Sequence, residues 1–385
     1  MDLTRMISLA AVCAVLVSPL VAREGPAMSG NDRIHLKRFD VVDQQGFAQP
    51  LTVASFLAPA DWRLEGGVQW NFNTDCTMEI VSMQVRVSSP DGRESFEVFP
   101  QFSAFWSDNP QFRQFMANKG CRTGPAFSSE MFIRELFLPG FRPDATVSGV
   151  KALPDLARAE YQKQMAMYGQ VMDQMQATVT TDVTQATLTF RDQRGEREEW
   201  VVAVIHSAQG QQYDEFSGGA YGVQTTSAER VVSYQAPAGQ LARRNGLFAT
   251  IIGSYRINPV YLEAVRNVRN RMNQIAMQGL IDRQRIIHQM NQQVQQSIAA
   301  NWDNQVDAWK RRSASNDRTH EKWIEMIRGT ESYADPSSPG TTWELSSGFS
   351  NVWKTGSDQF ILTNDVNFDP NVSLNGQWTR MSRAK

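Results

Sequence analysis

The stretch NDVNFDPN sets Asp365, Asn367, Asp369 and Asn371 at alternate positions, the spacing of oxygen ligands in a calcium loop. A hard cation needs several such oxygens converging on one point, and this run carries half of the pattern. Pro370 stands where an EF-hand loop needs glycine, and Gly376 where it needs a bidentate glutamate. An Asx-turn at Asp369-Pro370 accounts for the same residues without a metal. A calcium site built on Asp365, Asn367 and Asp369 is therefore the lesser alternative.

Catalytic chemistry finds no assembled motif. The histidines are His35, His206, His288 and His320, and none forms an HExxH pair. There is no GxSxG elbow and no phosphate-binding loop. His206-Ser207 closes an apolar strand, and with Asp214 it suggests a Ser/His site. Neighbouring residues on a strand point to opposite faces, which argues against a direct pair. Gly218–Gly222 (GGAYG) is a loop tip and not a cofactor fingerprint. No catalytic residue and no cofactor is expected, although carboxylate pairs leave no sequence signature.

Beyond the N-terminal Cys13, the cysteines are Cys76 and Cys121. They lack CxxC spacing and a histidine nearby in sequence, so they predict one structural disulfide in an oxidising compartment. In the chain-entropy model such a bridge contributes about 4 kcal/mol. Trp343, Trp353 and Trp378 crowd a short C-terminal region. A small core needs large side chains, which favours packing. A sugar-stacking surface for cell-wall glycan is the functional alternative.

These residues sit in a chain with distinct regions. MDLTRMISLAAVCAVLVSPLVARE has one early basic residue, an apolar run and Ala22 before Arg23. That is the pattern of a secretory signal peptide over residues 1–22, with a retained anchor as the rival. Membrane contact is then expected only transiently, through that peptide. Residues 23–32 form a polar lead-in. The formal net charge of −2 offers no basic excess to hold nucleic acid.

Residues 33–258 alternate strand patterns with sharp turns and a few helices. In WRLEGGVQWNF, Val68, Trp70 and Phe72 share one face and Gln69, Asn71 and Asn73 the other. Gly66-Gly67 predicts a bend. Ser89-Pro90-Asp91-Gly92 and Asp192–Gly195 predict hairpin turns. The segment FSSEMFIRELFLPG predicts a short helix that stops at Pro139-Gly140. Residues 155–176 predict another, and Leu247, Ile251 and Ile252 mark a third.

Residues 259–330 predict a long helix or a helical hairpin, with a break at Arg311–Asp317. Val265, Ala276, Ile287, Ile298 and Trp309 recur every eleven residues, so they keep to one face with little supercoiling. The narrow stripe suits a protein partner or a second copy of the chain. Packing on the chain's own preceding domain fits equally well. Residues 331–385 turn to Gly, Ser, Asp and aromatics, and predict a small β-rich module.

The stretch FLAPADWRLEGGVQW, with FATIIGSYRINP closing an α/β region, resembles exported PsbP-like domains, and the tail resembles the ends of uncharacterised exported bacterial proteins. The resemblance is short and covers about a third of the chain. It implies an antiparallel sheet backed by helices and a binding or assembly role, and it carries over no catalytic residue. The expectation is an α+β, periplasmic or secreted envelope protein that binds or scaffolds. A hydrolase or glycan-binding protein acting on cell-wall material is the alternative.

Overall fold

A computed structural model describes residues 33–384, except 79, 175, 214–218, 279–322, 324–328 and 375. The expected signal peptide and lead-in (residues 1–32), Asp214 and the stripe positions Ile287, Ile298 and Trp309 lie outside the described residues.

Along the chain come β1 (Arg33–Asp43), β2 (Leu51–Pro59), β3 (Arg63–Trp70), β4 (Val81–Ser88), β5 (Ser95–Val98) and β6 (Phe102–Ser107). Helix α1 (Pro110–Asn118) follows, then α2 (Ser129–Met131), a π-helical stretch (Phe132–Phe137) and α3 (Leu138–Phe141). Next are β7 (Thr146–Ala152), α4 (Pro154–Gln174), β8 (Thr178–Asp192), β9 (Gly195–Tyr213) and β10 (Ala220–Pro237). They lead to α5 (Asn245–Ser254), β11 (Arg256–Ile257) and α6 (Pro259–Gln278). The tail holds β12 (Thr330–Ala334), β13 (Thr342–Ser346), β14 (Asn351–Lys354), β15 (Phe360–Thr363), α7 (Pro370–Ser373), β16 (Thr379–Arg380) and β17 (Ser382–Arg383).

The fold is α+β with antiparallel strand pairing. An eight-stranded sheet runs β3-β4-β5-β10-β9-β8-β7, with β6 also on β10. A six-stranded sheet runs β11-β2-β1-β15-β14-β16, and β13-β12-β17 form a third. The main core joins both large sheets: Phe56 and Phe360 from one, Phe96 and Tyr234 from the other, and Phe248 and Ile251 of α5. Burying each such side chain contributes about 1.5–3 kcal/mol, so the two sheets stabilise one another. A second apolar cluster lies on the opposite face of the large sheet, where Phe132, Ile133 and Phe137 cover Val201, Ala203 and Ile205.

The turns follow the local chemistry. Gly92 and Gly195 take positive φ at the two predicted hairpins. At Gly66 a Cβ would stand 2.2 Å from the Gln84 carbonyl oxygen, so only glycine fits that bend. Trp70 of the same stretch donates its indole N–H to the buried Asp43 carboxylate at 2.6 Å. Tyr261 of α6 donates to the same oxygen at 3.2 Å, and the amides of Gln45 and Gly46 complete the set. Asp43 thereby ties β1, β3 and α6 together.

Three expectations need correction. The helix expected to stop at Pro139-Gly140 continues to Phe141. Pro139 falls in the first turn of α3, where a residue without an N–H is tolerated. The C-terminal region is β-rich, but it does not keep its strands to itself. Strand β15 pairs with β1, with Arg33 opposite Thr363 and Leu36 opposite Phe360. The tail keeps β13-β12-β17 as a sheet of its own and gives β14, β15 and β16 to the six-stranded sheet. Finally, Val265, the first position of the eleven-residue stripe, is 5% exposed and packs in the chain's own core. Ala276 lies within α6.

Candidate binding face

The expected disulfide is present: Cys76 and Cys121 are bonded with their Cα atoms 5.0 Å apart. It pins the loop after β3 to the loop after α1. That second loop bonds directly to β6, with Phe105 bridged to Thr123, and the large sheet's outer face carries a shallow recess of about 310 Å³.

Strand register explains the lining of this recess. Asp182 pairs with Ile205 and Thr180 with Ser207. Directly opposed residues in antiparallel strands share a face, so all four point into the recess. Gln224 of β10, which stands opposite Gln209, completes the floor. Ala126, Phe127 and Ser128, which lead into α2, make the wall. Oδ2 of Asp182 accepts from both the backbone N–H and the hydroxyl of Ser129, each at 2.7 Å. The Ser128 hydroxyl oxygen accepts from the Met131 amide and caps α2. Ser207 and Thr226 share a hydroxyl–hydroxyl bond of 2.7 Å.

Ser128, Thr180, Ser207 and Gln224 bring uncharged hydrogen-bonding groups to a lining whose exposed surface is mostly apolar, with Ala126, Phe127 and Ile205 beside them. Asp182 is its one charged side chain, and that carboxylate is already engaged by Ser129. Ser207 faces the recess, whereas the adjacent His206 is buried on the other side of the sheet. His206 shares its Nδ1 with the Thr181 hydroxyl at 2.8 Å. A Ser207–His206 catalytic pair is thus excluded by strand geometry.

At the far end of the covering segment a second hollow, about 460 Å³, opens between β3, β4 and β5. Gly66, Gly67, Gln84, Arg86 and Glu97 line it. Its charge is locked: Arg142 donates to Glu97 at 2.8 Å and to both oxygens of the fully buried Glu199 at 2.6 and 2.8 Å. Burial works against the Arg142 charge, but Glu199 and Glu97 outweigh it and hold the guanidinium protonated.

The opposite face of the sheet gathers a cluster of perturbed titrating groups. Register slips between Ala228 and Arg230, so Glu229 is the unpaired residue of a β-bulge. The bulge brings consecutive residues to one cluster. Arg230 donates to Glu160 of α4 at 2.7 Å, while Glu229 stands 3.9 Å from the His206 Nε2. Burial would raise the Glu160 pKa, but Arg230, Lys163 and the Trp323 indole hold it below the usual carboxylate value. The Arg230 charge, then burial, pushes the Lys163 ammonium down to about 8. Burial also lowers His206, against the pull of Glu229 and Glu160. Trp323, 1% exposed, donates to Glu160 at 2.7 Å and closes over it. The cluster is a buried clamp and not an open site.

The other expected site residues lie apart from the recess. Trp378 is buried and Trp343 and Trp353 are half-buried. Trp343 packs on Phe360 and donates to Asp335 at 2.9 Å. Trp353 and Trp378 pack together with Ile361 and Phe368. Asp365 accepts from the Asn367 amide at 3.0 Å, and Asp369 from the Asn371 amide at 2.9 Å, capping α7. These carboxylates close local Asx-turns. Among the described residues no group of three His, Cys, Asp or Glu side chains is placed to hold a metal ion.

Phe127, Thr180, Asp182 and Gln224 carried no motif. Alternation along residues 178–192 was the one available signal, and it identifies a face without saying what crosses it.

No protein-family model, curated protein or solved structure matches the chain.

Proposed function

We propose that this is a non-catalytic, exported binding protein of the cell envelope, periplasmic or secreted, whose ligand face is the outer side of the eight-stranded sheet. The observation that carries this reading is the chemistry of the recess. Hydroxyl, amide and aromatic groups line it beside one carboxylate, Asp182, whose hydroxyl partner Ser129 is fully buried. The apolar N-terminal run and the Cys76–Cys121 bridge support export. Among the described residues no helix is long and apolar enough to cross a membrane.

The likeness to PsbP-like domains points the same way, towards binding or assembly. Partner docking, or pairing with a second copy, belongs to the helical region through Ile287, Ile298 and Trp309, since Val265 is occupied by the core. A cell-wall hydrolase is less well supported: Asp182 is the one carboxylate in the recess, and glycoside hydrolysis generally uses two.

The test is native affinity purification from the envelope with mass spectrometry, together with incubation of the pure protein with muropeptides. A stoichiometric companion and unchanged muropeptides are expected. Recovery of the chain alone, with muropeptide turnover, overturns the reading.

A further inference from the structure

Resting on the binding reading above, we infer that the recess beside Gln224 binds a neutral glycan. Trp106 of β6 stands directly opposite Gln224 of β10. Opposed residues of an antiparallel pair share a face at close range. The Trp106 side chain therefore shares the outer face with Gln224, beyond the lining of the recess itself, and it is 37% exposed. An exposed indole is an unusual surface residue, because it leaves a large apolar face in water. Phe127 supplies a second ring on the wall.

Sugars present two kinds of surface. Their C–H faces stack on aromatic rings, and their hydroxyls need donors and acceptors in the plane of the ring. Trp106 and Phe127 offer the first. Thr180, Ser207 and Gln224 offer the second, each able to donate and accept. Charge narrows the choice. No lysine or arginine lines the recess to attract an acidic sugar, and Asp182 repels one. For a cationic ligand the recess offers a single carboxylate, Asp182, whose Oδ2 is already bonded twice by Ser129. At about 310 Å³ the recess lies at the small end of ligand sites, room for one or two sugar units, with a chain continuing along the sheet past Trp106.

The experiment is calorimetric titration of the purified protein with chitotriose, maltotriose and, as an acidic comparison, trigalacturonate. Saturable binding of at least one neutral trisaccharide is expected, with dissociation constants of about a millimolar or tighter. Gln224→Ala and Trp106→Ala should each weaken it by about tenfold or more at unchanged melting temperature. Where Trp106→Ala lowers the melting temperature, Trp106→Gln at the same position and Gln224→Ala carry the comparison. No heat from either neutral sugar, equal binding by the variants, or equally tight trigalacturonate binding overturns the inference. The bound sugar is then recovered and sized. Cleavage would overturn the non-catalytic reading and leave the glycan site standing. A stoichiometric protein companion without sugar binding would do the reverse.

Discussion

The indole N–H of Trp323 donates a 2.7 Å hydrogen bond to Oε1 of Glu160, a residue 163 positions earlier in the chain. Arg230 donates to the same oxygen. One buried carboxylate thus joins α4, β10 and Trp323. Replacing the indole removes a donor to a buried charge, a loss of about 1–3 kcal/mol. Trp323→Phe is expected to lower the urea midpoint at pH 7 by that equivalent while the m-value stays constant. An unchanged midpoint would mean that the Trp323–Glu160 bond contributes nothing to stability.

The same cluster sets a pH dependence whose sign follows from the shifts. His206 is depressed below its ordinary 6.5 in the folded state. As pH falls below about 6.5 the unfolded chain takes up a proton that the folded chain refuses, so stability is lost. Glu160, held below 4.5, adds a further loss as pH falls through its lowered folded value. Lys163 acts in another window: folded near 8 and unfolded near 10.5, it makes stability climb with pH between those values. Melting temperatures measured from pH 5 to 10 should rise up to pH 7 and again above 8. His206→Gln should flatten the first slope. Lys163→Met should flatten the second and raise the melting temperature at pH 7, because it removes a positive charge beside Arg230.

How much of this was legible in the sequence depends on how local each signal is. The hairpins at Gly92 and Gly195 were readable because turn chemistry is written in consecutive residues. Helix α4 appeared within a residue or two of its expected span, from the spacing of its apolar positions. The pairing of β1 with β15 was not readable. Arg33 and Thr363 share no local pattern, and only the closed core shows why they meet. The same holds for the candidate face: strand register brings Trp106, Gln224 and Asp182 to one side, and the segment before α2 lays Phe127 against it. The Glu229 bulge was hidden as well, since a one-residue slip leaves no trace in an alternating strand.

Arg142 offers a sharper test of buried charge. Its guanidinium faces Glu97 and the fully buried Glu199. Removing one partner of such a set strands the others without water, at about 3–5 kcal/mol. Arg142→Met is expected to destabilise by that amount in urea titrations. Adding Glu97→Gln and Glu199→Gln to it should restore much of the loss, because the stranded charges go with the guanidinium. Loss of stability that deepens with the added changes would mean that the seat of the Arg142 guanidinium over the Phe99 ring, and not its pairing with the carboxylates, is what matters there.

The tail's place in the six-stranded sheet makes a last claim testable. Phe360 in β15 is fully buried, stands opposite Leu36 of β1 and packs on Trp343. Truncating a buried phenylalanine to alanine costs about 3–5 kcal/mol. Were residues 331–385 an autonomous module, Phe360→Ala would melt that module early and leave the rest of the molecule intact. In this fold β15 lies between β1 and β14, so its loss exposes the edge of β1 and opens the main core. Phe360→Ala is therefore expected to shift a single calorimetric transition to lower temperature. Near-ultraviolet circular dichroism and intrinsic fluorescence should lose structure together. Two separated transitions in the variant would restore the tail to independence and leave the β1–β15 ladder a marginal contact.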